Sequence, residues 1–365
     1  MFTSHASLSS SPARILFALF TVILFAAGLA ACEHKESSKP SAAVFNDGRM
    51  VTSDGPGIVE NPNPHEKGNA TAGRDVFRFE TFGNEGFWTD AMRMPEGMMD
   101  EKITPIMALK AGLQVDSEAI PSDLKDALAA ELKTDLSIEK APLLNDPTTT
   151  VKLINANAVV GMVPKDSNGD GKLDITKGDK VGVACTICHT VTDKSVYSMP
   201  KGGSIGKRVD GLANLDLDMG MLLAVAANSR AYYPNLQVTL GGKTHGRAPK
   251  GLTKDSTEAE VDAYLKNREF YPVGTFDETQ DGNGNPVKNT PLFRQDLAAP
   301  YGSAGEHSKL DDIGNASYTT NLDMTTMATP EGVKFLTLLG GAAGAELAKD
   351  YAQILKDTGV TGFPY

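Results

Sequence analysis

Five consecutive residues, Cys185-Thr186-Ile187-Cys188-His189, restrict the fold of this chain more than any other feature of its sequence. Two cysteines three positions apart, followed directly by histidine, are the attachment signature of a c-type haem. On one helical turn each thiol can form a thioether to one haem vinyl group, and the histidine then ligates the iron. We therefore predict one covalent haem c on Cys185 and Cys188, with His189 as the proximal iron ligand.

The cysteine count favours haem over other uses of two close thiols. The chain has three cysteines, the third being Cys32, and no second C-x-x-C or H-x-x-x-H follows anywhere. A zinc site needs four ligands, and a thioredoxin-like pair sits in a βαβ pattern that is missing around this motif. A disulfide across two intervening residues leaves the adjacent histidine unexplained. The motif is thus expected to be the only haem site.

The N-terminus has the pattern of a secretory signal. Arg14 precedes an almost unbroken apolar run over residues 15–28, which is shorter than the roughly 20 residues that a spanning helix needs. Leu29-Ala30-Ala31-Cys32 resembles a bacterial lipobox, which implies lipidation of Cys32 and anchoring to a membrane. Glu33 stands where a retained inner-membrane lipoprotein would carry aspartate, which favours the outer membrane. We expect an exported, periplasmic protein.

The sequence divides into four parts. We predict a lipoprotein signal peptide over 1–31, a polar tether over 32–72, a helical region over 73–160 and a haem c domain over 161–365. The tether is too polar to bury enough apolar area to fold. Without the signal, the net charge goes from −11 to −12 because Arg14 is lost. This acidity excludes nucleic acid as a partner and suits either a basic redox partner protein or simple solubility.

The apolar spacing predicts a mainly α protein with few short strands: a cytochrome c-like haem domain with a helical N-terminal extension. Residues 103–115, 123–132 and 151–160 have helical periodicity. Thr257 begins a capping box, and Thr329-Pro330 is a helix start. Strands are predicted over 236–240 and on both sides of Asn283-Gly284. The aromatic residues of 77–88 are expected either in the core or around the haem.

A second motif precedes the predicted haem-attachment segment, residues 185–189, which we call the haem peptide. This motif resembles a calcium-binding loop. Asp166, Asn168 and Asp170 are oxygen ligands at the first, third and fifth positions, and a glycine occupies the sixth. The twelfth position is Lys177, where an EF-hand has a bidentate glutamate. Asp174, at the ninth position, is the expected substitute. The alternative is a metal-free turn rich in Asp, Asn and Gly.

The sixth iron ligand decides what the haem does. A methionine or a second histidine closes the iron for electron transfer, whereas an open position permits peroxide or oxygen chemistry. Met327 lies in a polar loop just before the last helix, which resembles the loop that carries the methionine ligand in class I cytochromes c. On this resemblance we predict Met327 as the distal ligand. Met199 and His245 are the alternatives, and His307 is the remaining histidine outside the signal and tether.

Two stretches, 79–88 and 182–211, resemble a group of exported bacterial c-type cytochromes that are distantly similar to dihaem cytochrome c peroxidases. The resemblance covers residues 73–240. It implies a haem c protein, but the second haem motif of the dihaem relatives is missing from this chain. Lys207 and Arg208 then pair with the haem propionates or remain solvated. We expect a monohaem electron carrier. A peroxidase-like haem oxidoreductase and a haem-based sensor remain the alternatives.

Overall fold

The structure is a computed structural model that describes residues 69–237, 251–278, 286–292 and 310–365, together with the backbone of 44–46 and 49–51. The chain forms two compact units, residues 1–59 and residues 60–365. In the first unit, β1 (Val44–Asn46) and β2 (Arg49–Val51) pair as an antiparallel hairpin. The second unit contains both the 73–160 region and the haem peptide.

Helices dominate the second unit. The α-helices are α1 Ala70–Phe79, α2 Met94–Asp100, α3 Pro105–Lys110, α4 Ser122–Glu131, α5 Pro147–Asn155, α6 Thr186–His189, α7 Met219–Leu223, α8 Glu258–Lys266, α9 Leu310–Ser317 and α10 Pro330–Asp357. Short 3-10 turns cover Ser229–Tyr232, Asn235–Gln237 and Met324–Ala328, and π-helical turns cover Phe87–Ala91 and Tyr318–Leu322. The prediction of a mainly helical fold with few short strands is therefore confirmed as a secondary-structure class.

The strands of this unit are two to four residues long and form small separate sheets. They are β3 Val115–Asp116, β4 Met162–Lys165, β5 Lys180–Val183, β6 Thr190–Thr192, β7 Tyr197–Ser198, β8 Ser204–Gly206, β9 Arg208–Asp210, β10 Thr275–Glu278 and β11 Pro286–Lys288. The β4–β5, β6–β9, β7–β8 and β10–β11 pairs are antiparallel, and β3 lies parallel to β8. Strands β5 and β6 flank α6, so the antiparallel pairs β4–β5 and β6–β9 hold residues 185–189 in place.

Two helices begin where local start signals predict them. Thr257 and Glu260 form the expected capping box at α8. Thr329 accepts a hydrogen bond from the Gly332 N–H and starts α10. The strands predicted beside Asn283-Gly284 are β10 and β11, although the turn itself lies outside the described residues.

Two helices predicted from periodicity were too long, and one predicted strand was wrong where the structure describes it. Helix α3 covers only Pro105–Lys110, because Val115 is in β3. Helix α5 ends at Asn155, and the chain then turns toward β4. Leu236 lies in a 3-10 turn and not in the predicted strand, whose remainder is outside the described residues. Apolar residues at these places face the tertiary core. Periodicity alone cannot show whether they belong to one long element or to two short ones.

One apolar core connects the helical region with the haem peptide. Phe87 and Trp88 are almost fully buried in it, and so are Ile187 and Cys188 of the motif. Of the aromatic residues in 77–88, Phe82 is instead 58% exposed, so the cluster only partly enters the core. Within the described part of the chain, no helix is both long and apolar enough to cross a membrane.

Candidate haem site

The haem peptide is a single helical turn between two strands. Cys185 has helical backbone angles and precedes α6, which ends at His189 where β6 begins. Gly161 makes this close packing possible, because a Cβ at that position would lie 2.4 Å from the Cβ of Ile187. Gly161 also has φ +85°, a left-handed conformation that favours glycine. The approach of the β4 chain to α6 therefore requires glycine there.

The His189 imidazole is held in one tautomer. Its Nδ1 lies 2.7 Å from the carbonyl oxygen of Thr290, a group that can only accept a hydrogen bond. Nδ1 must therefore carry the hydrogen, which leaves the lone pair of the neutral ring on Nε2. Burial lowers the pKa of His189, although its bond to Thr290 opposes this shift. The ring is thus neutral near pH 7, and the lone pair on Nε2 is available to a metal.

This arrangement fits an axial ligand of haem iron. Metal-binding histidines usually donate their second N–H to a carbonyl or carboxylate, which fixes the ring and raises its basicity. Thr290 is 101 residues away in sequence, so sequence reasoning missed it. Among the described residues, no hydrogen bond to Nε2 competes with a metal.

The two thiols are separate and sheltered. Cys185 and Cys188 do not form a disulfide with each other. Cys188 is only 4% exposed, and burial raises the pKa of the Cys185 thiol. The Cys185 sulfur is therefore favoured in the thiol form. With helical backbone from 185 to 189, both cysteines and His189 point to one side of the turn.

Asn214 fixes the backbone of the haem peptide from the rear. Its N–H donates to the Cys188 carbonyl at 2.8 Å, and its side-chain amide donates to the Ile187 carbonyl at 3.3 Å. Asn214 is 1% exposed and also bonds to Gln114 and the Gly112 carbonyl. Gln114 and Asn214 were not predicted from the sequence, because isolated polar residues give no local signal for such a network.

The predicted distal ligand lies in the C-terminal helical part. Met327 is fully buried in the 3-10 turn Met324–Ala328, against Gly332 at the start of α10. Met199 is half-buried, and its sulfur accepts a hydrogen bond from Tyr197 at 3.8 Å. His245 and His307 lie outside the described residues. Met327 as the sixth ligand therefore stays a prediction.

Arg208 has partners other than a propionate. Its Nε donates to Asp116 at 2.7 Å, and a terminal nitrogen donates to the Asn157 carbonyl at 2.6 Å. Its side chain is 3% exposed and stacks over Phe79. Lys207 pairs with Glu118 at 3.3 Å on the surface. Arg208 is thus not a solvated residue, but its other terminal nitrogen has no hydrogen-bond partner among the described residues. Its pairing with a propionate stays a prediction.

Hydrogen bonds from backbone N–H groups to side-chain oxygens hold the acidic loop before the haem peptide. Asp166 accepts hydrogen bonds from the N–H groups of Gly169 and Gly171 at 2.7 and 2.9 Å. Asn168 accepts from the Asp170 N–H, and Asp170 accepts from Lys172, both at 2.8 Å. These hydrogen bonds engage side-chain oxygens of Asp166, Asn168 and Asp170 with backbone N–H groups of the loop.

The second half of the loop departs from a calcium site. Lys177 pairs with Asp174 at 2.8 Å and lowers the pKa of that carboxyl to about 2. Asp179 accepts hydrogen bonds from the Asp174 and Ser167 N–H groups, and these lower its pKa. Within the described ranges, no three His, Cys, Asp or Glu side chains form a metal-binding group. Calcium at Asp166, Asn168, Asp170 and Asp174 stays a prediction.

Cys32, the predicted lipidation site, lies outside the described residues, as do the signal peptide and most of the tether. Comparisons with other proteins add no family to these observations. Neither a family model, nor a curated protein, nor a solved structure matches the chain. Its assignment therefore depends on the motif and on the geometry around His189.

Proposed function

We propose that this chain is an exported monohaem c-type cytochrome that carries single electrons. Cys185 and Cys188 hold the haem through thioethers, and His189 ligates the iron through Nε2. The observation that carries the proposal is the 2.7 Å contact from His189 Nδ1 to the Thr290 carbonyl. It leaves on Nε2 the lone pair that iron requires, beside two thiols at the haem spacing.

The residues around the motif have distinct tasks in this proposal. Thr290 orients the imidazole and makes its free nitrogen a stronger ligand. Asn214 holds the Cys188 and Ile187 carbonyls, which keeps both thiols on one side of the turn. When bound, haem c supplies an iron that accepts and releases one electron. The acidic mature chain would deliver that electron to a redox partner protein while Cys32 anchors it to a membrane.

Covalent attachment is tested by mass spectrometry after expression with the c-type haem maturation machinery. The whole chain should gain the mass of one haem, and Cys185→Ser with Cys188→Ser should abolish that gain. Cys32→Ser is the matched control, because it removes the third cysteine and should leave haem attachment intact. A protein that lacks covalent haem under these conditions would refute the proposal.

The carrier role is tested by absorption spectra of the oxidised and reduced protein with and without cyanide or carbon monoxide. A low-spin spectrum that is unchanged by either ligand is expected for a carrier. High-spin iron that binds these ligands readily would instead assign a catalytic or sensing role. His189→Gln should disrupt the spectrum in both cases, whereas His34→Gln in the tether is the matched control and should not.

A further inference from the structure

An apolar cavity lies behind the haem peptide. Its volume is about 220 Å³, larger than the roughly 150 Å³ of an apolar cavity that holds benzene. Six of the chain's 13 methionines line it: Met94, Met98, Met107, Met162, Met219 and Met221. Methionine side chains adapt their shape to what they contact, which suits a ligand surface better than a fixed core.

This cavity is separate from the proposed haem face. Ile187 lines the cavity, but Cys185, Cys188 and His189 do not. At 100° per residue, Ile187 points about 200° from Cys185, while Cys188 and His189 stay within about 60° of Cys185. The turn α6 therefore has the haem-bearing side chains on one side and the cavity on the other.

One buried polar group in the cavity wall has no partner. Trp88 lines the cavity and is 1% exposed, and its Nε1 hydrogen meets no acceptor among the described residues. A buried donor without a partner costs free energy, so its presence indicates an acceptor that the protein itself does not supply. Thr150, another lining residue, already donates its hydroxyl hydrogen to the Ile103 carbonyl at 2.7 Å.

We propose that this cavity binds a compact, mainly apolar organic molecule that carries a carbonyl oxygen. The methionine and aliphatic wall encloses its hydrocarbon part, and the Trp88 Nε1–H donates to its oxygen. Glu101 and Lys266 also line the cavity and carry charge, but the enclosing wall is apolar, so the ligand is neutral. The proposal does not depend on the proposed haem function, since the cavity lies on the other side of α6.

The test compares two probes of the same carbon skeleton, 1-tetralone and tetralin, which differ only by a carbonyl group in place of one methylene group. Isothermal titration of the whole protein should detect both, with 1-tetralone binding roughly two- to tenfold more tightly because of one hydrogen bond. Trp88→Phe should remove this preference and leave tetralin binding nearly unchanged. Equal affinities for the two probes in the wild-type protein, or a preference that survives Trp88→Phe, would overturn the role of Trp88.

A second variant tests the location. Ala111 lines the cavity and is half-buried, so Ala111→Phe should fill the space and abolish binding of both probes. Ala127→Phe is the matched control, because Ala127 is exposed on α4 outside the cavity. Trp88 is the only tryptophan of the chain, so a change in its fluorescence also reports occupancy.

Failure of this proposal can be distinguished from failure of the haem proposal. Probe binding should be the same in the haem-loaded protein and in the Cys185→Ser, Cys188→Ser form. Binding that is present only without haem would mean that haem itself occupies the cavity and would overturn the inference. Absence of binding in both forms would also overturn it, while leaving the haem assignment intact.

Discussion

Replacing Arg208 should destabilise the protein far more than replacing its neighbour Lys207. Arg208 is 3% exposed and bonds to Asp116 and the Asn157 carbonyl, whereas Lys207 is 64% exposed beside Glu118. Arg208→Met leaves the Asp116 carboxylate nearly buried without its cation. Removing one partner of a buried ion pair costs about 3–5 kcal/mol, while a surface pair contributes about 0–1 kcal/mol.

The assay is reversible urea unfolding of the two single variants, after a check for two-state behaviour. Lys207→Met is the matched control, since it removes an adjacent cation by the same substitution. We expect a difference of at least about 2 kcal/mol between the variants, which is at least about 30-fold in the folded-to-unfolded ratio. Arg208→Met combined with Asp116→Leu should lose less than the two single losses added together, because no charge is left unpaired.

The same pair of variants also tests where the haem propionates bind. If Arg208 pairs with Asp116 and not with a propionate, Arg208→Met should leave the absorption spectrum of the haem-loaded protein unchanged. Equal stability of the Lys207→Met and Arg208→Met variants, together with an altered spectrum only in the latter, would refute the structural role of Arg208.

Three further predictions concern the candidate ligands. In haem-free protein, the unfolded chain protonates histidine near pH 6.5, whereas the half-buried His189 of the folded chain has a lowered pKa. The free energy of unfolding should therefore fall as the pH drops below about 6.5. Urea unfolding at several pH values should show a smaller fall in His189→Gln, and the same pH dependence in both proteins would contradict this prediction. Met327→Ala should cost about 2–5 kcal/mol in urea unfolding because its side chain is fully buried, and an unchanged haem spectrum would rule Met327 out as the sixth ligand. Calcium should raise the melting temperature of the wild-type protein but not that of Asp166→Ala. An unchanged melting temperature in both proteins would refute calcium binding by this loop.

Local signals in the sequence predicted local structure well. The capping box at Thr257 and the Thr329-Pro330 start both mark helices, because a cap depends on residues within three positions of it. The β10–β11 pair also follows from a short turn motif. Apolar periodicity failed over 103–115, because the buried residues there divide between α3 and β3 on one core.

The sequence alone predicts the candidate site and its proposed use. Attachment of a haem requires the spacing of Cys185, Cys188 and His189, so the site can be recognised from a five-residue motif. Tertiary structure decided the state of that site, since the carbonyl that fixes the His189 tautomer comes from Thr290, 101 residues away. It also decided that Arg208 pairs with Asp116 and that a methionine-lined cavity lies behind Ile187. These features join residues that are distant in sequence, and backbone carbonyls and packed walls have no sequence pattern of their own.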